Sequence, residues 1–214
     1  MTVSAGGDGA RPEERLLARE AVTEAVVERS RFIGLTFRLE EPDPASALSR
    51  ARQRHPDATH HAWAYRWTPG EERADDAGEP QGTAGLPLLD VLRRHQLVRT
   101  VVVVVRYFGG VKLGRAGLYR AYRDAAEAAV RASDPTPVET LMLVSVDLAY
   151  PAYEPFRRWL ESVPHRDAAE LAFAERVTWS GWIREDDRPG LASLQERWYG
   201  AVEVAVRETR QDVL

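Results

Sequence analysis

The residues in this chain whose types and spacing could do chemistry cluster in two short stretches. The first is Tyr107-Phe108-Gly109-Gly110-Val111-Lys112-Leu113-Gly114-Arg115. It follows the apolar run Val101 to Val105 and precedes a helical pattern from Gly117 to Ala132. A strand, a glycine-rich turn and a helix N-terminus together offer free backbone N–H groups to an anion. Arg106, Lys112, Arg115 and Arg120 add positive charge, and Tyr107, Tyr119 and Tyr122 are interleaved among them. Basic groups beside aromatic faces suit phosphates and stacked bases. The stretch is not a Walker loop, which needs Lys-Ser or Lys-Thr directly after its last glycine, and its glycines do not fit a dinucleotide fingerprint. The simpler alternative is a tight strand-to-helix turn that needs glycine for its backbone angles alone.

The second stretch sets His60-His61 before the carboxylates Asp75, Asp76 and Glu79. Such residues could hold a metal ion or act as a general acid–base pair. Adjacent histidines on a strand point to opposite faces, so one at most can join a given carboxylate cluster. No HExxH motif or second histidine pair accompanies them, so no metal site or cofactor is assigned. A hydrolase using His60 or His61 with Asp76 and Glu79 stays open as an alternative. Ser30 and Ser46 lack the GxSxG context of a nucleophile elbow, and Thr83 has no evident activating base.

The elements that must position these groups belong to a chain of 214 residues, 44% hydrophobic, which suffices for a buried core and excludes a disordered chain. Its longest apolar stretch, Thr100 to Val105, falls far short of the roughly 20 residues needed to cross a bilayer. The first twenty residues lack the basic-then-apolar pattern of a secretory signal. With no cysteine there is no disulfide framework, thiolate nucleophile or zinc ribbon. A soluble cytoplasmic protein without membrane contact is expected. The net charge of -4 conceals a segregation: Arg93 to Arg131 is strongly basic, whereas Glu40 to Asp90 is acidic.

Residues 1 to about 12 lack periodicity and read as a frayed leader. Val22 to Val27 and Phe32 to Leu39 read as strands, and Asp43-Pro44 opens a helix that stops at His55-Pro56. His61 to Trp67 alternates as a strand with one aromatic face, and Thr68 to Thr83 reads as a long acidic loop. Leu86 to His95 is expected to be a helix, and Val101 to Val105 a central strand, apolar on both faces. Asp134-Pro135-Thr136-Pro137 reads as an interdomain linker. Beyond it the pattern predicts strand 141–149, helix 153–162, strands 169–174 and 177–184, helix 189–199 and strand 201–208. This is the βαββαβ order of a ferredoxin-like domain, with Trp159, Trp179, Trp182 and Trp198 in its core.

Five blocks taken together resemble the IMPACT/YigZ family. They are Ser30-Arg31-Phe32-Ile33; His60-His61-Ala62-Trp63-Ala64-Tyr65; Gly78-Glu79-Pro80-Gln81-Gly82-Thr83-Ala84-Gly85; Arg106-Tyr107-Phe108-Gly109-Gly110-Val111-Lys112-Leu113-Gly114; and Gly117-Leu118-Tyr119-Arg120-Ala121-Tyr122. The resemblance, to bacterial two-domain members, implies an α+β protein. Residues 13–133 would form a domain similar to the second domain of ribosomal protein S5. Residues 138–214 would form a ferredoxin-like βαββαβ domain similar to one in elongation factor G. The chain departs from the family pattern at Ala77, where members carry a further aspartate, and at Arg29, where they carry lysine.

Eukaryotic relatives act in translational control, where they interfere with activation of a stress kinase. The resemblance and the basic stretch together lead to a non-enzymatic, RNA- or ribosome-associated regulator of translation. Its expected nucleic-acid-binding residues are Arg106, Tyr107, Gly109, Gly110, Lys112, Arg115 and Arg120, with Tyr65 or Trp63 stacking on bases. The acidic loop would repel phosphate backbone approaching off-register. Besides the hydrolase, the other alternative is an adaptor that binds a protein partner.

Overall fold

The computed structural model describes residues 13–214; the proposed frayed leader, residues 1–12, lies outside the described residues. Contacts divide the chain into two units, one running to Pro137 and the other from Val138 to Leu214. Both mix helices and sheet.

In the first unit, the run of β-branched residues from Thr100 to Val105 forms the middle of a five-stranded sheet. The strands are β1 (Arg15–Leu17), β2 (Ala21–Val27), β3 (Ser30–Arg38), β4 (His60–Thr68), β5 (Glu71–Asp75), β6 (Thr100–Tyr107) and β7 (Pro135–Pro137). The large sheet has the order β2-β3-β6-β4-β5, and every adjacent pair is antiparallel. Both faces of β6 are covered, as its apolar alternation in both registers requires. On one face Val102 and Val104 pack with Phe32, Ala62, Ala64, Leu88, Leu92 and Tyr122. This face is covered by α2 (Gly85–Arg94) and α3 (Gly114–Ala132). On the other, Val101, Val103 and Val105 pack with Ile33, Leu35, Phe37 and Tyr65 against Ala47 and Ala51 of α1 (Ala45–Arg54).

Gly34 explains how α3 comes so close to the sheet. A Cβ there would lie 2.6 Å from the carbonyl oxygen of Ala125, so any side chain would lift the helix. Because α3 lies low, Tyr122 packs edge-on against Phe32, with ring centroids 5.3 Å apart.

Two parts of this unit depart from the sequence reading. The acidic stretch 68–83 is not all loop: Glu71–Asp75 is the edge strand β5, paired with β4. Its carboxylates face solvent or arginines and mask the strand pattern, while Ala74 packs on the core. Glu72 is held by Arg66 and Arg93. The supposed linker is also a strand, since β7 pairs with β1 through Leu16↔Thr136. Leu16 and Leu17 are fully buried, which anchors this small two-stranded sheet.

The second unit runs β8 (Glu139–Leu148), α4 (Tyr150–Leu160), β9 (His165–Phe173), β10 (Val177–Arg184), α5 (Arg188–Arg197) and β11 (Val202–Asp212). Its antiparallel sheet has the order β11-β8-β10-β9. Met142, Val144, Val146 and Leu148 alternate into a core with Phe156, Trp179 and Leu191. Trp182, three positions from Trp179, leaves this cluster for the opposite sheet face, where the Arg210 guanidinium lies 4.1 Å from its ring centroid. β9 begins earlier than the sequence suggests because its first residues, His165, Arg166 and Asp167, are polar, as suits an edge strand. β11 runs past Glu208 because a bulge between Val206 and Glu208 breaks the alternation that marks a strand. Among the described residues no helix is long and apolar enough to cross a membrane.

Candidate functional site

Strand register brings three side chains of the first unit into one row. Phe32 on β3 and His60 on β4 both lie opposite Arg106 on β6. Arg106 continues the parity of Val102 and Val104, so its side chain enters the face covered by α2 and α3. It is 4% exposed, and a guanidinium so deeply buried requires a compensating charge.

Glu79, on the turn that follows β5, supplies that charge. Arg106 donates from Nη1 to Glu79 Oε1 at 2.7 Å and from Nη2 to the Ser30 hydroxyl oxygen at 3.3 Å. The Tyr122 hydroxyl donates to the same carboxylate oxygen at 2.8 Å. Burial, followed by the charge of Glu79, pushes the Tyr122 phenol far above its ordinary value, so it remains a donor. The Arg106 guanidinium also lies 5.5 Å from the Phe32 ring centroid and 5.3 Å from that of Phe108, within cation–π range.

His60 completes the group without entering the ion pair. Its Nδ1 lies 2.9 Å from the Ala77 carbonyl, which can only accept, so Nδ1 carries a proton and donates. Its Nε2 is 3.7 Å from Glu79 Oε1, beyond hydrogen-bond reach.

The turn carrying Glu79 is fixed by Asp76. The Asp76 carboxylate accepts the backbone N–H groups of Gly82, Ala84 and Gly85 at 2.7, 2.9 and 2.8 Å, capping α2 from a distance. Partial burial raises its pKa, but the N–H groups of Gly82, Gly85 and Ala84 outweigh this, so the carboxyl titrates below its ordinary range.

The glycine-rich turn is seated by its own constraints. Gly109 donates its N–H to the Ser30 hydroxyl oxygen at 3.1 Å. A Cβ at Gly109 would overlap the carbonyl group of Arg29. Gly110 and Gly114 have φ of 85° and 68°, in the region glycine favours. α3 starts immediately afterwards, with no side chain capping its N-terminus and no acid in its first turn.

These parts surround a cleft of about 490 Å³, lined by His60, Glu79 and Arg106 together with Phe108, Lys112, Leu113, Arg115 and Leu118. Lys112 and Arg115 are exposed, and Arg115 donates to the Gln81 carbonyl at 2.7 Å. The ion pair neutralises Arg106 and Glu79, which leaves Lys112 and Arg115 as the permanent charges of the cleft wall.

The expected nucleic-acid residues are therefore divided among different places. Lys112 and Arg115 line the cleft beside the turn of Gly109 and Gly110. Arg106 is buried in an ion pair, so it is not an open phosphate contact. Tyr107 points to the opposite sheet face, where its hydroxyl lies 3.1 Å from His55 Nδ1. Tyr65 is 2% exposed within the α1-side core, with no face free for a base. Trp63 packs against that same cluster. Arg120 is exposed on α3 outside the cleft lining.

The hydrolase set is divided as well. His61 lies on the opposite face from His60, with Nε2 3.0 Å from the His55 carbonyl. Burial foremost holds the His61 pKa below the ordinary histidine value. Asp76 is engaged by backbone, and the single oxygen of Glu79 nearest His60 already accepts from Arg106 and Tyr122. Among the described residues no cluster of three or more His, Cys, Asp or Glu is arranged to hold a metal. Sequence reasoning missed Ser30, Tyr122 and Phe108 as parts of the site. One signal was present: an arginine directly after a run of five valines in a central strand must find a carboxylate.

The first unit is thus an antiparallel α/β fold whose family blocks converge on one buried ion pair and the basic cleft above it. Residues 28–130 match the Impact N-terminal domain. The chain is 40% identical over 126 residues to an IMPACT family member of Thermus thermophilus, covering 59% of this chain and 69% of that protein. It is 44% identical over 102 residues to IMPACT family member YvyE of Bacillus subtilis, covering 46% of this chain and 47% of that one. Against YigZ of Escherichia coli it is 37% identical over 110 residues, 49% of this chain and 54% of that protein. The chain belongs to the IMPACT family. The match spans about half the length of the Bacillus relative. A crystal structure described as that of a hypothetical protein superposes with a TM-score of 0.56 at 25% identity, over 92% of this chain and 99% of the other.

Proposed function

We propose that the protein is an RNA- or ribosome-associated regulator of translation that holds phosphate at the cleft beside Lys112 and Arg115. The observation that carries this reading is the uncapped N-terminus of α3, with Lys112 just before it and Arg115 in its first turn. Free N–H groups, the helix dipole and two cations together favour an anion with several acceptor oxygens. The half-exposed Phe108 ring gives a neighbouring base a surface on which to stack. The order β8-α4-β9-β10-α5-β11 supports a ferredoxin-like assignment for the second unit. The family resemblance implies units similar to domains of ribosomal protein S5 and of elongation factor G, and that implication favours a cytoplasmic role in translation by analogy of fold.

The test is a fluorescence-anisotropy titration against labelled single-stranded RNA, double-stranded RNA and DNA at three salt concentrations. Lys112→Ala/Arg115→Ala should lower RNA affinity and flatten the log–log salt slope by about 1.4 for a single strand, from two lost phosphate contacts. RNA binding unchanged by the double substitution, or absent even at low salt, would overturn the assignment.

A further inference from the structure

The cleft has features that a groove tracking the interior of a nucleic-acid strand does not require. Arg106 lines it, is 4% exposed, and its Nε–H has no hydrogen-bond partner even though both terminal nitrogens are engaged. A buried unpaired donor is costly, so the wall beneath the cleft carries surplus hydrogen-bond donors that favour an anionic occupant. The cleft volume of about 490 Å³ lies within the range of small-ligand pockets, large enough for roughly one nucleotide. Its wall is mixed in character, with Phe108, Leu113 and Leu118 apolar and Lys112 and Arg115 cationic.

Charge separates a strand end from a strand interior. An internal phosphodiester carries one negative charge, whereas a terminal phosphomonoester carries about two near neutral pH. With Glu79 and Arg106 cancelling, Lys112 and Arg115 match the second value. The α3 N-terminus supplies N–H donors for the additional oxygen.

We infer that this cleft binds the phosphorylated terminal nucleotide of an RNA, with the phosphomonoester at Lys112, Arg115 and the α3 N-terminus and the base against Phe108. The inference rests on the RNA-binding reading and narrows it to strand ends. A 5′- and a 3′-phosphate share the same chemistry, and separate substrates distinguish them.

The experiment titrates the full chain with one internally labelled single-stranded RNA in three forms: 5′-phosphorylated, 3′-phosphorylated, and hydroxyl at both ends. Lys112→Ala and Phe108→Ala are titrated in parallel. Both residues are exposed, so folding, checked by thermal melting, should be retained. One phosphorylated form should bind about tenfold tighter than the hydroxyl form, through the added charge-assisted contacts. Lys112→Ala should bring that ratio close to one, and Phe108→Ala should reduce it. Equal affinity for all three forms, with a salt slope that still depends on Lys112, would overturn the inference and leave RNA binding intact. No binding of any form at low salt would overturn both.

Discussion

The single oxygen of Glu79 that accepts from Arg106 and Tyr122 is the most consequential atom of the first unit. Glu79→Ala would strand a buried guanidinium, and the expected loss is about 3–5 kcal/mol of unfolding free energy. Tyr122→Phe removes one donor but leaves the ion pair, so its cost should be nearer 1 kcal/mol. Urea denaturation of both variants checks the order, and equal losses would contradict the geometry. Asp76 makes a prediction in pH. Its folded pKa is below the ordinary 3.8, so its contribution to stability is present above that value and is lost as pH falls through the folded one. Asp76→Asn should therefore cost about 2 kcal/mol at neutral pH through weakened bonds to three N–H groups. The gap from the unaltered protein should narrow in strong acid, as followed by denaturation at successive pH values.

At the scale of elements, the cleft depends on how β6, the turn and α3 follow one another. The turn lies against the carbonyl group of Arg29, and only glycine fits at position 109. Gly109→Ala should push the turn outward, break the N–H bond to Ser30, and cost about 1–3 kcal/mol as an overpacking change. Because Phe108 and Lys112 flank that position, the same substitution should also weaken RNA binding. A thermal melt and an anisotropy titration on one sample check both effects. Edge strands show how composition hides structure: β5 and the start of β9 are polar because an unpaired strand edge is protected by charge.

For the whole molecule, among the described residues no sheet and no apolar cluster is shared between the units: the first holds two sheets and two clusters, the second one of each. The strand β7 makes the first unit longer than its helices suggest, since it pairs with β1 and covers Leu16 and Leu17. A fragment of residues 13–137 should unfold cooperatively by itself. One ending at Ser133 should melt at least about 4 °C lower, the shift expected from losing roughly 1 kcal/mol in a domain of this size. Calorimetry of the two fragments decides the point, and identical melting temperatures would show that β7 adds nothing.

The sequence by itself determined the central strand, because a run of valines in both registers has to be covered on both faces. It also determined the opposite orientation of His60 and His61, the glycine-dependent turn before α3, the order of elements in the second unit, and family membership through five blocks in sequence. Only the tertiary structure decided which charges remain available. Arg106 and Tyr65 looked like ligand contacts in the sequence and proved to be buried, while Glu79, read as acidic loop, became the counter-ion of Arg106. The partners of Glu79 lie 27 and 43 residues away along the chain. Local periodicity fixes the face on which a side chain emerges. The partner it meets there depends on strand register across the sheet and on how closely α3 can approach at Gly34. A buried charge has to be matched by whatever carboxylate the fold delivers, and that choice is made across the whole unit.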